Sequence, residues 1–142
     1  MDPGTRGKLN QAMAAIAEQA GATLHTYPRP GRAVRSVVLR DTRDDRGTQF
    51  DAAQMEDDGT LRVAGRDTGA RVSDVFGTAI TSYEWVYVVP SGRIGALARA
   101  LGAEHDDDVL DALAGYYHQH DGRISQLLRA AEIAVEFDNW PS

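Results

Sequence analysis

Short alternating segments fill much of this chain before three amphipathic helices appear. Alternation of apolar and polar residues predicts strands over 34–40, 49–55, 60–64, 83–89 and 133–138. Apolar residues at helical spacing predict helices over 92–101, 108–118 and 123–132. Because most strands come as a block before these helices, the order predicts an α+β fold with one mainly antiparallel sheet of about five strands. The three helices should cover one face of that sheet.

Several details of this sheet can be predicted as well. Phe50 and Ala52 should face the core, with Met55 joining them through a bulge. The segment 83–89 has the strongest β signal, which predicts a central strand. Gly65 should end the third strand, and the apolar spacing of residues 72–76 predicts one or two helical turns after it.

The chain length predicts one domain over 1–142, with an N-terminal helix over 1–22 that is peripheral to it. Asp2 and Pro3 are typical of a helix start, and Leu9, Met13 and Ile16 form an apolar stripe. Two interpretations of this stripe stay open. It packs on its own sheet, or the protein is a homodimer held by this helix or by an exposed sheet edge.

Composition excludes several classes of protein. Of the 142 residues, 42% are hydrophobic, and no continuous apolar run suits a membrane span or a signal peptide, which predicts a cytoplasmic protein. The chain has no cysteine, so disulfides and thiolate metal sites are excluded. Its net charge is −6, with −9 carried by residues 47–142, and nucleic acid would repel such a surface.

The usual catalytic motifs are missing from the sequence. His118 and His120 are two residues apart, which places them on different sides of a helix and argues against a metal site. The run Asp106–Asp108 suits a helix start better than a calcium loop. No serine lies in a nucleophile elbow and no glycine-rich phosphate loop occurs. These observations predict a protein that is not an enzyme and that needs no cofactor.

An aromatic stripe is the main candidate for a ligand pocket. Tyr83, Trp85 and Tyr87 share one face of a strand, where such residues usually belong to the core. The alternative is a small-molecule pocket between the sheet and the helices, as in a resistance or biosynthetic accessory protein. Its residues would be Tyr83, Trp85, Tyr87 and Tyr117, with Asp67 and Glu84 as carboxylates.

Several short motifs in residues 34–140 carry a resemblance. They are the segment 57–63 with its acidic turn, the segment Gly65-Arg66-Asp67-Thr68-Gly69, the segment 72–77, the strand start Tyr83-Glu84-Trp85, a leucine-rich helix and the ending 133–137. In these the chain resembles a group of small uncharacterised actinobacterial proteins, some of which are similar to immunity proteins of polymorphic toxin systems. The resemblance implies a protein that binds another protein.

Acidic turns supply a candidate surface for such a partner. Acidic inhibitors of basic enzymes gain association rate from electrostatic steering. We therefore expect a protein-binding module, and the resemblance implies that it is of the immunity or antitoxin type, with a toxin as its partner. Its candidate contact residues are Glu56, Asp57, Asp58, Glu104, Asp106, Asp107 and Asp108. The alternative is that these acidic turns are only solvated surface.

Overall fold

A computed structural model of the protein describes residues 33–120 and 124–142. Five strands form one antiparallel sheet in sequence order, which confirms the predicted α+β class. Each strand pairs with its neighbours in the chain. The strands are β1 (Ala33–Asp44), β2 (Gly47–Glu56), β3 (Leu61–Thr68), β4 (Ser82–Val89) and β5 (Glu136–Pro141).

Four α-helices are present in the described part of the chain. They are α1 (Ala70–Phe76), α2 (Ile94–Ala100), α3 (Val109–His120) and α4 (Ile124–Ala130). Single 3₁₀ turns, Ser91–Arg93 and Asp106–Asp108, lead into α2 and α3. No helix among these residues is long and apolar enough to cross a lipid bilayer.

The main hydrophobic core lies between the sheet and the helices α2, α3 and α4. Leu61, Val63 and Val89 are fully buried there, against helix residues such as Leu97 and Leu113. Burying a side chain of this size contributes about 1.5–3 kcal/mol. The predicted helical layer on one face of the sheet is therefore confirmed, and it is the apolar interface that holds the fold together.

The opposite face of the sheet carries a second, smaller apolar cluster. Ala52, Ala64, Val86 and Trp140 are its buried members, and Trp140 is 0% exposed. None of its members comes from a helix of the described residues. Both faces of this sheet therefore bury apolar side chains.

Three of the first four strands differ from the sequence-based prediction. β3 continues past Gly65 to Thr68, paired with both β2 and β4, so the predicted loop there is wrong. β4 has neighbours on both sides, but the central strand is β3. β1 also extends to Asp44, so only two residues connect it to β2, whereas the predicted strands 34–40 and 49–55 left eight.

The last strand begins later than expected, at Glu136 instead of residue 133. Glu132 adopts a left-handed backbone with φ of 56°, and the backbone N–H of Ile133 donates to the carbonyl of Leu128. This arrangement closes the end of α4 and turns Ile133 into the main core. The apolar side chain that suggested a strand therefore serves as the hydrophobic contact of a helix end.

The predicted N-terminal helix over 1–22 lies outside the described residues. The homodimer that depends on that helix or on a sheet edge also stays a prediction.

Candidate functional site

Alternation along the strands places the aromatic stripe on the helix-covered face. In the β3–β4 pairing, Tyr83 lies opposite Asp67 and Tyr87 lies opposite Val63. Because Val63 belongs to the main core, all side chains in register with it on this face point toward the helices. Asp67, Tyr83, Trp85 and Tyr87 are thereby brought together.

Asp51 on β2 joins this group, although the sequence analysis did not select it. It lies opposite Arg40 on β1 and opposite Gly65 on β3, and it is 4% exposed. Its Oδ2 is 4.0 Å from Nε of Arg40, which makes an ion pair that is too long for a hydrogen bond. Its Oδ1 is buried and has no hydrogen-bond partner among the described residues.

These side chains border a cavity of about 220 Å³ between the sheet and the start of α4. Charged and polar groups line its sheet side, aromatic rings form a wall, and Ile124 and Ser125 of α4 border it from above. The lining consists of Arg40, Gln49, Asp51, Asp67, Tyr83, Trp85, Tyr87, Ile124, Ser125 and Phe137.

Gly65 allows the indole ring of Trp85 to lie directly on β3. A Cβ atom at position 65 would be 2.3 Å from Cε2 and from Cζ2 of Trp85, and 2.6 Å from its Nε1. Real side chains do not approach this closely, so only glycine leaves room for the ring. The indole is thus held over β3, at the strand position paired with Asp51.

The aromatic wall is continuous beyond Trp85. The rings of Trp85 and Tyr87 meet edge to face with centroids 5.7 Å apart, and Tyr87 and Phe137 are 4.6 Å apart. At the other end, Phe76 of α1 stacks on Tyr83 at 5.0 Å. Phe137 and Phe76 are 47% and 42% exposed, so the wall reaches the protein surface at both ends.

Burial changes the acid–base behaviour of the carboxylates in the cavity. Burial, followed by the negative charge of Asp67, raises the pKa of Asp51 to about 7, although Arg40 opposes this shift. Burial also raises the pKa of Asp67, against the effects of Arg40 and Arg71. Asp51 therefore exchanges its proton near neutral pH.

Tyr117, which the sequence analysis included in the pocket, lies beside Arg40 and Asp51 but does not line the cavity. It is 3% exposed on α3, and the guanidinium carbon of Arg40 is 5.9 Å from the centre of its ring. Burial and then the charge of Asp51 raise the pKa of Tyr117. Arg40 is therefore close both to the Tyr117 ring and to the Asp51 carboxylate.

Glu84 does not share the cavity with Asp67, contrary to the sequence-based hypothesis. It pairs in register with Arg66 and lies on the opposite face, where its Oε1 is 3.5 Å from Nε of Arg66. The physical reason is the alternation of β4, which sends Tyr83 and Glu84 to different sides of the sheet.

The acidic residues that were candidates for a protein partner divide into two groups. Glu56 is 4% exposed and forms an ion pair with Arg62, so it is not part of an accessible acidic surface. The other candidates are exposed, in the turn between β2 and β3 and in the segment before α3. They are Asp57, Asp58, Glu104, Asp106, Asp107 and Asp108.

A second cleft, of about 310 Å³, brings these two acidic segments to the same end of the molecule. Nη2 of Arg35 donates a hydrogen bond of 2.6 Å to the carbonyl of Asp107, which ties the second segment to β1. The cleft is lined by Arg35, Met55, Gly59, Ser91, Ile94, Asp106 and Asp107.

Metal-type ligands do not cluster in the part of the chain that the structure describes, where no group of three histidine, cysteine or carboxylate residues could hold an ion. No protein-family model matches this chain, and searches of curated proteins and of solved structures also find no match.

Proposed function

We propose that this protein binds a small molecule in the cavity between β2, β3, β4 and α4. The observation that carries the proposal is the Asp51 carboxylate, which is almost fully buried, borders the cavity and has one oxygen without a hydrogen-bond partner among the described residues. Buried polar atoms in proteins are nearly always paired, because leaving one unpaired costs about 1–3 kcal/mol. A ligand that donates to Asp51 would supply the missing partner.

The size of the cavity limits the ligand. Pockets for drug-sized molecules occupy about 300–1,000 Å³, and this cavity of about 220 Å³ is smaller. Its lining combines carboxylates, one guanidinium and aromatic rings. We therefore propose a small polar metabolite with one flat or apolar part, bound in the cytoplasm without chemical change.

A thermal-shift screen of small metabolites tests this proposal. Compounds that bind in the cavity should raise the melting temperature of the wild type but not of Ser125→Trp, whose indole fills the space under α4. Gln126→Trp is the matched control, because residue 126 is exposed on the same helix and does not line the cavity. Compounds recovered unchanged, as measured by mass spectrometry, support binding without turnover.

Two results would contradict the proposal. One is an equal shift for all three proteins, which would place the binding elsewhere. The other is no shift for any compound at millimolar concentration.

A protein partner is the second candidate function, and we propose it on a separate observation. Asp57 and Asp58 lie in the turn that contains Gly59, and Gly59 borders the same cleft as Asp106 and Asp107. Two acidic segments about fifty residues apart in sequence thus form one end of the molecule. Such a surface suits a basic partner, and the resemblance to immunity proteins implies a toxin.

Charge neutralisation tests this second candidate, with a basic toxin domain of a polymorphic toxin system as the partner. A variant with Asp57, Asp58, Asp106 and Asp107 changed to Asn should associate about tenfold more slowly at low salt, and the difference should shrink at high salt. Surface plasmon resonance measures the association rates of the variant and of the wild type at each salt concentration. Exposed Asp111 and Glu132, changed to Asn and Gln, provide a control with altered charge elsewhere. Association that does not depend on salt would contradict steering.

A further inference from the structure

We propose that the cavity selects a small organic cation, a protonated amine whose ammonium group lies between Asp51 and Asp67 and whose body packs on Trp85 and Tyr87. This inference rests on the proposed small-molecule function and identifies the chemical class of the ligand.

The charges in the cavity lining favour a cation. Two carboxylates, Asp51 and Asp67, face one guanidinium, that of Arg40. With both acids ionised, the lining carries a net charge of −1, because the nearby Arg71 is already paired with Asp44. A monovalent cation neutralises this charge. An anion would have to enter against this charge in a partly buried site, where screening by water is weak.

Hydrogen bonding favours an ammonium group in particular. Oδ1 of Asp51 needs a donor, and Arg40 approaches the other oxygen only to 4.0 Å. The direct partner of Asp67 on β2 is Gln49, which is two residues from Asp51. Asp67 on β3 is therefore a diagonal neighbour of Asp51. Diagonal neighbours are about 7–8 Å apart at their Cα atoms, a separation that one ammonium with three N–H donors can bridge.

The aromatic wall favours the same class of ligand. A cation within about 6 Å of a ring centre gains roughly 0.5–2 kcal/mol from the electrons of the ring, most strongly for tryptophan. Trp85 is fixed in place over Gly65, and Tyr87 is fixed by its contact with Trp85 and by a hydrogen bond with Ser125. The rings therefore need little reordering when a ligand enters.

The probe set consists of benzylamine, benzyl alcohol and benzoate. All three carry the same aromatic ring, but the first is a cation, the second is neutral and the third is an anion. The chain has two tryptophans, Trp85 in the cavity and Trp140 on the opposite face, so ¹⁵N NMR of the indole groups reports binding and its location together. We expect benzylamine to shift the Trp85 signal and not the Trp140 signal. Near pH 8 its Kd should be at least about tenfold below that of benzyl alcohol, and benzoate should not bind.

The preference should depend on pH through Asp51. As pH rises from about 6 to 8, Asp51 loses its proton while the amine keeps its own, so benzylamine should bind more tightly by up to about tenfold. The titratable groups that face Asp51 are Arg40 of β1, Asp67 of β3, Tyr83 and Tyr87 of β4, and Tyr117 of α3. Burial raises the pKa of each of these tyrosines, which keeps them neutral over this range.

Asp51→Asn should abolish both the preference for the amine and its pH dependence. Glu84→Gln is the matched control, because it removes a buried carboxylate from the opposite face of the sheet. The inference is overturned if benzyl alcohol or benzoate binds at Trp85 as tightly as benzylamine, a result that would leave the small-molecule function standing. It is also overturned if no probe shifts Trp85, and the metabolite screen then decides separately whether the cavity binds anything.

Discussion

Replacing Asp51 with Asn should stabilise the protein by roughly 4 kcal/mol near pH 8 and by far less near pH 4. The pKa of Asp51 is raised from 3.8 to about 7 in the folded protein. Between these two values the folded state holds a proton that the unfolded state has released. The free energy of unfolding of the wild type therefore falls as pH rises from about 4 to 7, and Asn, which is always neutral, avoids this loss.

Urea denaturation at several pH values measures this effect. The difference between Asp51→Asn and wild type should grow with pH and level off above about pH 7. Asp57→Asn serves as the control, because this residue is exposed in the turn between β2 and β3 and should change little. A difference that is constant across this range would show that Asp51 is not destabilised by its charge.

Such a result would also bear on function. A side chain whose ionised form destabilises the fold brings no structural benefit at neutral pH. Sites that bind ligands often keep groups of this kind, and variants that remove them gain stability at the expense of activity. The same substitution should therefore improve the stability of this protein and abolish its preference for amines.

Gly65→Ala should destabilise the protein by about 2–3 kcal/mol, because the added methyl group overlaps the Trp85 ring. The position has an ordinary strand backbone, so the expected loss comes from packing and not from a forbidden conformation. The ring must move away from β3, and cavity binding should weaken with it. Chemical denaturation and the Trp85 indole signal measure the two effects.

A second substitution tests whether the loss of stability comes from the overlap between the added methyl group and the Trp85 ring. In a Trp85→Leu background, Gly65→Ala should be neutral or stabilising, because the smaller side chain leaves room for the methyl group. Gly115→Ala on α3 is a matched control, since a Cβ there meets no atom within 4 Å, and it should stabilise by up to about 1 kcal/mol. An unchanged stability for Gly65→Ala in the wild-type background would contradict the tight contact.

Much of the fold could be predicted because local patterns and tertiary structure agree. The β2–β3 hairpin has an Asp-Gly turn, and the stripes on α2, α3 and α4 all face one apolar surface. The start of β5 could not be predicted because Ile133 closes the end of α4, and the end of β3 could not be predicted for a different reason. Gly65 looks like a turn residue in isolation, and its true role depends on an indole ring from another strand.

The cavity was only partly predictable. The aromatic stripe was correctly expected to share one face of a strand. Asp67 was expected after a strand and was grouped with Glu84, which lies on the opposite face, and Asp51 and Arg40 were missed. Phe50 and Ala52 were expected to face the main core, yet they belong to the second cluster, and Asp51 and Met55 face the helices without a bulge in β2. Alternation could not decide this, because both faces of the sheet bury apolar side chains.

The placement of β5 determines when the cavity can exist during folding. β1 to β4 pair through short connections, but β5 reaches β4 only after α2, α3 and α4, so its docking closes the longest loop in the sheet. Phe137 of β5 is part of the cavity wall. An intermediate that lacks β5 thus offers no complete binding site, and a ligand acts on the finished protein by slowing its unfolding rather than by speeding its folding.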